Sequence, residues 1–141
     1  MLLILAANAP VRSENPEQLG LQGRVECADD SRSQIECGPN PVRFVFLSDD
    51  GTRYRFVDSD PKTAMFHDPR VRERKLFVTA WLRDENRIEI VKVHSIREGK
   101  LYDIHYFCEV CNITAYGGGP CWCCQKEFEL REIPAGRGAE G

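Results

Sequence analysis

Five of the chain's seven cysteines fall between Cys108 and Cys124. Cys108-Glu109-Val110-Cys111 is followed by nine residues and then by Cys121-Trp122-Cys123-Cys124. Two cysteines three positions apart can fold into a tight knuckle with both thiolates on one side. Two facing knuckles then present four sulfurs as a tetrahedron, which suits zinc at about 2.3 Å per bond. The expected ligands are Cys108, Cys111, Cys121 and Cys124, holding one Zn2+ per chain. A site closed by four sulfurs leaves no position for substrate, so the expected role is structural. Cys123 is either a substitute for Cys124 or a free thiol. His105, three residues before Cys108, reads as a strand histidine because four sulfurs already complete the set. In an exported chain these cysteines could instead pair as disulfides, and Cys27 and Cys37 would form a separate bridge closing the first loop. In a reducing compartment Cys27 and Cys37 are small buried side chains. Thioredoxin-type chemistry is not expected, since no strand–helix unit follows either pair. Asn112, not His, follows Cys111, which excludes the usual haem attachment.

The elements that must position these sulfurs are short. Leu101 to Phe107 precedes the first knuckle, Phe128-Glu129-Leu130 follows the second, and both read as strands. Ala115-Tyr116-Gly117-Gly118-Gly119-Pro120 reads as a flexible connector that lets the second knuckle swing back. Residues 100–132 therefore resemble a zinc ribbon, with a connector shorter than the roughly 15–20 residues of the common pattern. Such a segment has almost no core of its own. The resemblance implies that the metal holds it, with about 10–16 kcal/mol available from structural zinc at neutral pH.

Residues 19–99 carry strand signals. Leu21 to Cys27 alternates apolar and polar residues apart from Gly23, which reads as a bulge. Asp29 to Asn40 is rich in turn formers. Val42 to Leu47 is β-prone, Ser48-Asp49-Asp50-Gly51 supplies a hairpin turn, and Thr52 to Val57 returns with Tyr54 and Phe56 on one face and Arg53 and Arg55 on the other. Asp60-Pro61 opens a short helix through Phe66, which Asp68-Pro69 is expected to break. Leu76 to Leu82 and Arg87 to Val93 are two more strands around an Asp84-Glu85-Asn86 turn, and Ile96 extends the last. Three strands, a short helix and two strands resemble the order of the OB-fold, a five-stranded Greek-key barrel. An SH3-like barrel or a small sandwich has similar local signals. The expected class is mainly β, with an OB-like barrel plus a C-terminal zinc-ribbon hairpin.

The ends read differently. Residues 1–18 combine a signal-like remnant, Met1 to Ala9, with an extended linker. If Met1–Ala9 is a truncated export signal, the chain is periplasmic or secreted, and otherwise it is cytoplasmic. Residues 133–141 read as a disordered tail. No apolar run approaches the roughly 20 residues of a membrane-spanning helix. The 141 residues suit one domain with an appendage, and 42% hydrophobic residues suffice for a core. A formal net charge of −3 offers no global field for nucleic acid. Arg53 and Arg55, the Arg72 and Arg74 of a short basic run, and Trp122 are the candidate ligand-binding residues. The OB analogy implies single-stranded nucleic-acid binding as an alternative function. Tyr54 and Phe56 are expected to face the core, Glu73 interrupts the basic run, and Trp122 is expected to pack across the ribbon onto the barrel, with an exposed partner anchor as the other reading. His67 and His94 stand alone, and no catalytic spacing is present. The expected function is a non-catalytic binding or accessory module for an unknown protein or ligand. The whole-chain pattern also resembles uncharacterised bacterial proteins with a signal-like start, a likeness that implies no activity.

Overall fold

A computed structural model describes residues 17–28, 37 and 43–135. The signal-like start, residues 10–16 of the linker, the expected turns of residues 29–40 other than Cys37, and residues 136–141 of the expected tail lie outside the described residues.

Alternation makes the first strand two-faced. In β1 (Gln18–Ala28), Leu21, Val25 and Cys27 are buried while Gln22 and Arg24 are exposed. The strand is long enough to serve two partners. Its first half pairs antiparallel with β4 (Leu76–Leu82), and its second half with β2 (Arg43–Ser48). Gly23 stands opposite both Leu76 and Ser48, in unbroken register. It is a crossing point, not the bulge its position in the alternation suggests. A Cβ there would sit 2.0 Å from the Leu47 carbonyl oxygen, so the close approach of β2 requires glycine.

The Asp49–Gly51 turn leads into β3 (Arg53–Phe56), which pairs antiparallel with β2. β3 also makes a two-residue parallel contact with β5 (Arg87–Arg97), Arg55 facing Arg87 and Phe56 facing Ile88. Since β4 and β5 are antiparallel neighbours, the pairings run β1-β2-β3-β5-β4 and back to β1, a ring of five strands. All five expected strands are present, with β1 and β5 longer than anticipated.

Asp68-Pro69 does not simply end a helix. A 3₁₀ helix (Pro61–His67) is followed at once by α1 (Pro69–Arg72), each capped by an aspartate with proline in the next position. Asp60 accepts from the Lys62 N–H and, through its other oxygen, from the Ile90 N–H at 2.9 Å. Asp68 accepts from the Arg70 N–H at 2.9 Å, from the Arg70 guanidinium, and from the Tyr106 hydroxyl at 2.7 Å. Between the two caps, Phe66 is fully buried with its ring 5.1 Å from Phe56 and 5.9 Å from Phe44. The helical segment thus packs Phe66 against β2 and β3 of the ring.

The sheet continues past the ring. The Glu98-Gly99 turn leads into β6 (Lys100–Cys108), which pairs with β5 through Lys100–Asp103 and then with β7 (Ile113–Ala115) through Tyr106–Cys108. β8 (Glu129–Pro134) covers residues Tyr102–Phe107 of β6 from the other side. The result is a mainly β protein with an eight-stranded, largely antiparallel sheet. Residues 133–135 are not the tail expected of them: Ile133 and Pro134 are strand residues, and Ala135 is buried with its N–H on the Leu101 carbonyl. One hydrophobic cluster runs from Leu21, Phe46 and Ile90 in the ring through Ile104 and Tyr106 to Cys108, Cys121 and Phe128. Among the described residues, no helix is long and apolar enough to cross a membrane.

Gly23→Ala should lower stability by about 1–3 kcal/mol, the usual penalty of forcing extra atoms into a packed site. The urea midpoint would fall with its slope unchanged. Asp68 should make stability pH-dependent. Burial raises its carboxyl, but the hydrogen bonds from the Arg70 side chain, Tyr106 and the Arg70 N–H outweigh that and hold it below the usual carboxylate value. A depressed folded-state value means its contribution is complete above the unfolded carboxyl's value and is lost as pH falls through the folded one. Tyr106→Phe should cost about 1.5–3 kcal/mol at neutral pH, as for a hydrogen bond to a charged group, and should flatten the acid limb of a stability–pH curve.

Candidate metal centre

The first knuckle grows out of β6. Cys108 is that strand's last residue, Glu109 to Cys111 turn the chain, and Asn112 takes a φ of 56° before β7 begins. The second knuckle is closed by its own hydrogen bonds. The Cys121 N–H donates to the Lys126 carbonyl, the Gln125 N–H to the Cys121 carbonyl, and the Phe128 N–H to the Gly119 carbonyl. Gln125 takes a φ of 65°. Each pair of cysteines is therefore followed by one left-handed residue, a conformation that asparagine accepts readily and glutamine less so.

The two knuckles meet. The sulfurs of Cys108, Cys111, Cys121 and Cys124 all lie within 4.8 Å of one another, close enough for a single metal ion to touch all four. Cys108 and Cys124 approach to 3.4 Å. Cys108 and Cys121 are buried, while Cys111 and Cys124 are half-buried. Burial raises the Cys121 thiol, but the N–H groups of Cys124 and Cys123 aimed at its sulfur, together with the Cys108 and Cys124 thiols, bring it down to about 7. The Cys111 thiol is pushed up, first by its hydrogen bond with the Cys123 thiol and then by burial. Cys123 itself is exposed and outside the four-sulfur group, and its N–H reaches the Cys121 sulfur at 3.4 Å.

His105 lies outside the group, on β6 opposite Arg131. Burial lowers its imidazole, and Arg131 adds to that. Trp122 does not pack back onto the ring. It is 70% exposed, with its ring edge-on to Phe128 at 5.2 Å. The physical reason is crowding: Cys121 and Cys124 turn inward to the sulfur group, which leaves the intervening side chain to point out. The glycine connector is also tighter than a flexible tether. A Cβ on Gly117 would lie 2.8 Å from the Ala64 Cβ, so the connector is pressed against the 3₁₀ helix.

The candidate cations are distributed and engaged. Arg53 and Arg55 lie on β3, facing Glu26 at 3.4 Å and Glu85 at 4.0 Å. Arg72 donates to the Phe66 carbonyl, Arg74 to Glu132, and Lys75 pairs with Asp49. The structure brings Arg53 and Arg55 together but not with Arg72, Arg74 or Trp122. Sequence reasoning missed two polar clusters. One is Asp68 with Tyr106 and Arg70. The other is Asp103, whose carboxylate lies 2.9 Å from both Lys92 and His94, so that His94 is not isolated. Asp followed by Pro was the available signal for the first, and nothing local marks the second. Cys27 and Cys37 form a disulfide with Cα atoms 5.4 Å apart. Comparison with family models, with curated proteins and with solved structures gave no match.

Cys108→Ser should abolish stoichiometric metal binding, whereas Cys123→Ser should leave it intact, as read by metal analysis of purified protein. Hydrogen exchange of Cys108→Ser should show loss of protection in β7 and the second knuckle, with β1 to β4 retained.

Proposed function

We propose that the chain is a non-catalytic binding or accessory module, an OB-like barrel carrying a zinc-ribbon hairpin with one structural zinc. The observation that carries this reading is the four-sulfur group, all within 4.8 Å. Thiolates about 2.3 Å from a tetrahedral zinc lie about 3.8 Å from one another, which matches the size of the group. Four thiolates favour a soft or borderline ion and leave it no open position, so its work is to hold the two knuckles together. The order of pairing in the five-strand ring supports the OB-like reading. A protein or small-ligand partner is favoured over nucleic acid, because Glu26 and Glu85 offset the arginines of β3. The Cys27–Cys37 bridge in a chain that also carries unpaired cysteines fits an oxidising compartment in which the bound metal protects its four ligand thiols.

The test is metal content and thiol titration on protein purified without reductant or added metal. One zinc per chain is expected, with Cys123 reactive before chelation, the four ligand thiols only after it, and Cys27 and Cys37 only after reduction. Metal-free protein with Cys108, Cys111, Cys121 and Cys124 oxidised would overturn the structural-zinc reading.

A further inference from the structure

We infer that a gap along one edge of β6 is a binding site for a small organic carboxylate with an apolar body. On that edge β5 covers Lys100–Asp103 and β7 covers Tyr106–Cys108, so Ile104 and His105 have no strand beside them. The opening is a groove of about 430 Å³, walled by the 3₁₀ helix, β5 and β7. That size lies within the range of small-molecule sites, about 300–1,000 Å³.

The wall on the β5 side is built by an irregularity. The β4–β5 register shifts between Thr79, opposite Lys92, and Ala80, opposite Ile90, which leaves Val91 without a partner. As a result Ile90 and Val93 stay buried while Val91 and Lys92 are both exposed at the groove. Bulges commonly re-aim side chains in this way beside binding sites. Val91, Tyr116 and Ile133, three of the six large apolar side chains exposed among the described residues, meet here. Such convergence marks a surface that gains by being covered.

The charge at the groove is one-sided once its internal pairs are subtracted. The Asp103 carboxylate is balanced in charge by Lys92, 2.9 Å from its Oδ1, and His94 lies at the same distance from that oxygen. Burial and neighbouring Arg131 disfavour charge on His105. Lys62 stands over the Tyr116 ring at 5.1 Å, and among the described residues no carboxylate pairs with it. A ligand carboxylate at Lys62 would place its apolar body over Val91, Tyr116 and Ile133. The walls are held in advance. Asp60 caps the helix turn that carries Lys62, and its other oxygen takes the Ile90 N–H next to the bulge. A site held in its bound geometry loses less entropy on binding.

This inference rests on the binding-module reading but not on the metal. Metal content measured on the same sample separates failure of the structural-zinc reading from failure of this site. The experiment is an amide NMR titration of the full chain, as purified, with phenylpropionate, phenylpropanol and acetate. Phenylpropionate should give saturable shifts at Val91, Ile104 and Thr114. The alcohol and acetate should bind about tenfold more weakly or less well still. Lys62→Gln should reduce phenylpropionate to the affinity of the alcohol. Val91→Asp should weaken both, with unchanged β1 and β2 resonances showing that the fold is kept. Absence of saturable shifts up to about 10 mM, a weak affinity of only about 3 kcal/mol, would overturn the site. Shifts confined to other surfaces, or equal affinity for acid and alcohol, would overturn it as well.

Discussion

Along the nine residues of β6, one edge is hydrogen-bonded first to β5 and then to β7, and the other to β8. This double pairing leaves the strand no freedom of register, and the side-chain alternation follows from it. Ile104, Tyr106 and Cys108 fall on the buried face, two residues apart. The same pleat that drives a tyrosine ring into the core therefore aims the first cysteine of the sulfur group inward. The metal centre begins as a consequence of sheet geometry, and only its second half depends on the knuckle formed by residues 119–128.

Burying Tyr106 imposes a further demand. A hydroxyl in the core must find an acceptor, and Asp68 supplies it. Asp68 is also the cap of α1 and the anchor of Arg70, so the position of the helical segment is set by a polar requirement as well as by the packing of Phe66 against β2 and β3. Asp60 answers a similar requirement at β5. The register shift at Val91 disturbs the ladder, and the Asp60 carboxylate receives the Ile90 N–H. Two Asp-Pro sequences thus tie one short helical stretch to two different strands. The price is charge held at low exposure, tolerated because each carboxylate has several donors.

Ring and sulfur group share one core. The hydrophobic cluster passes without a break from Leu21 and Ile90 to Cys121 and Phe128, and Gly117 lets the connector lie against Ala64. The hairpin carrying the cysteines is consequently seated on the ring through packing as well as through β6. The disulfide between Cys27 and Cys37 constrains the far end of β1, remote in sequence from the other five cysteines.

Local pattern determined a good deal. The paired C-x2-C spacing named four sulfurs that do come together, because a knuckle is made by residues three apart. The Ser48–Gly51 turn and the alternation in β1 and β3 depend on near neighbours too, and they were legible. Tertiary structure decided what involves partners far along the chain. It set the parallel contact of Phe56 with Ile88 that completes the ring, and the double pairing that makes Gly23 a crossing point. It gave Asp68 the hydroxyl of Tyr106, 38 residues away. It gave Arg74 and Arg97 to Glu132, gave His94 to Asp103, and drew Ile133 into a strand beside Asp103. None of these is visible in a window of a few residues. Each is set by which groups the folded sheet brings within hydrogen-bonding reach, and by the cost of leaving a buried polar group unpaired.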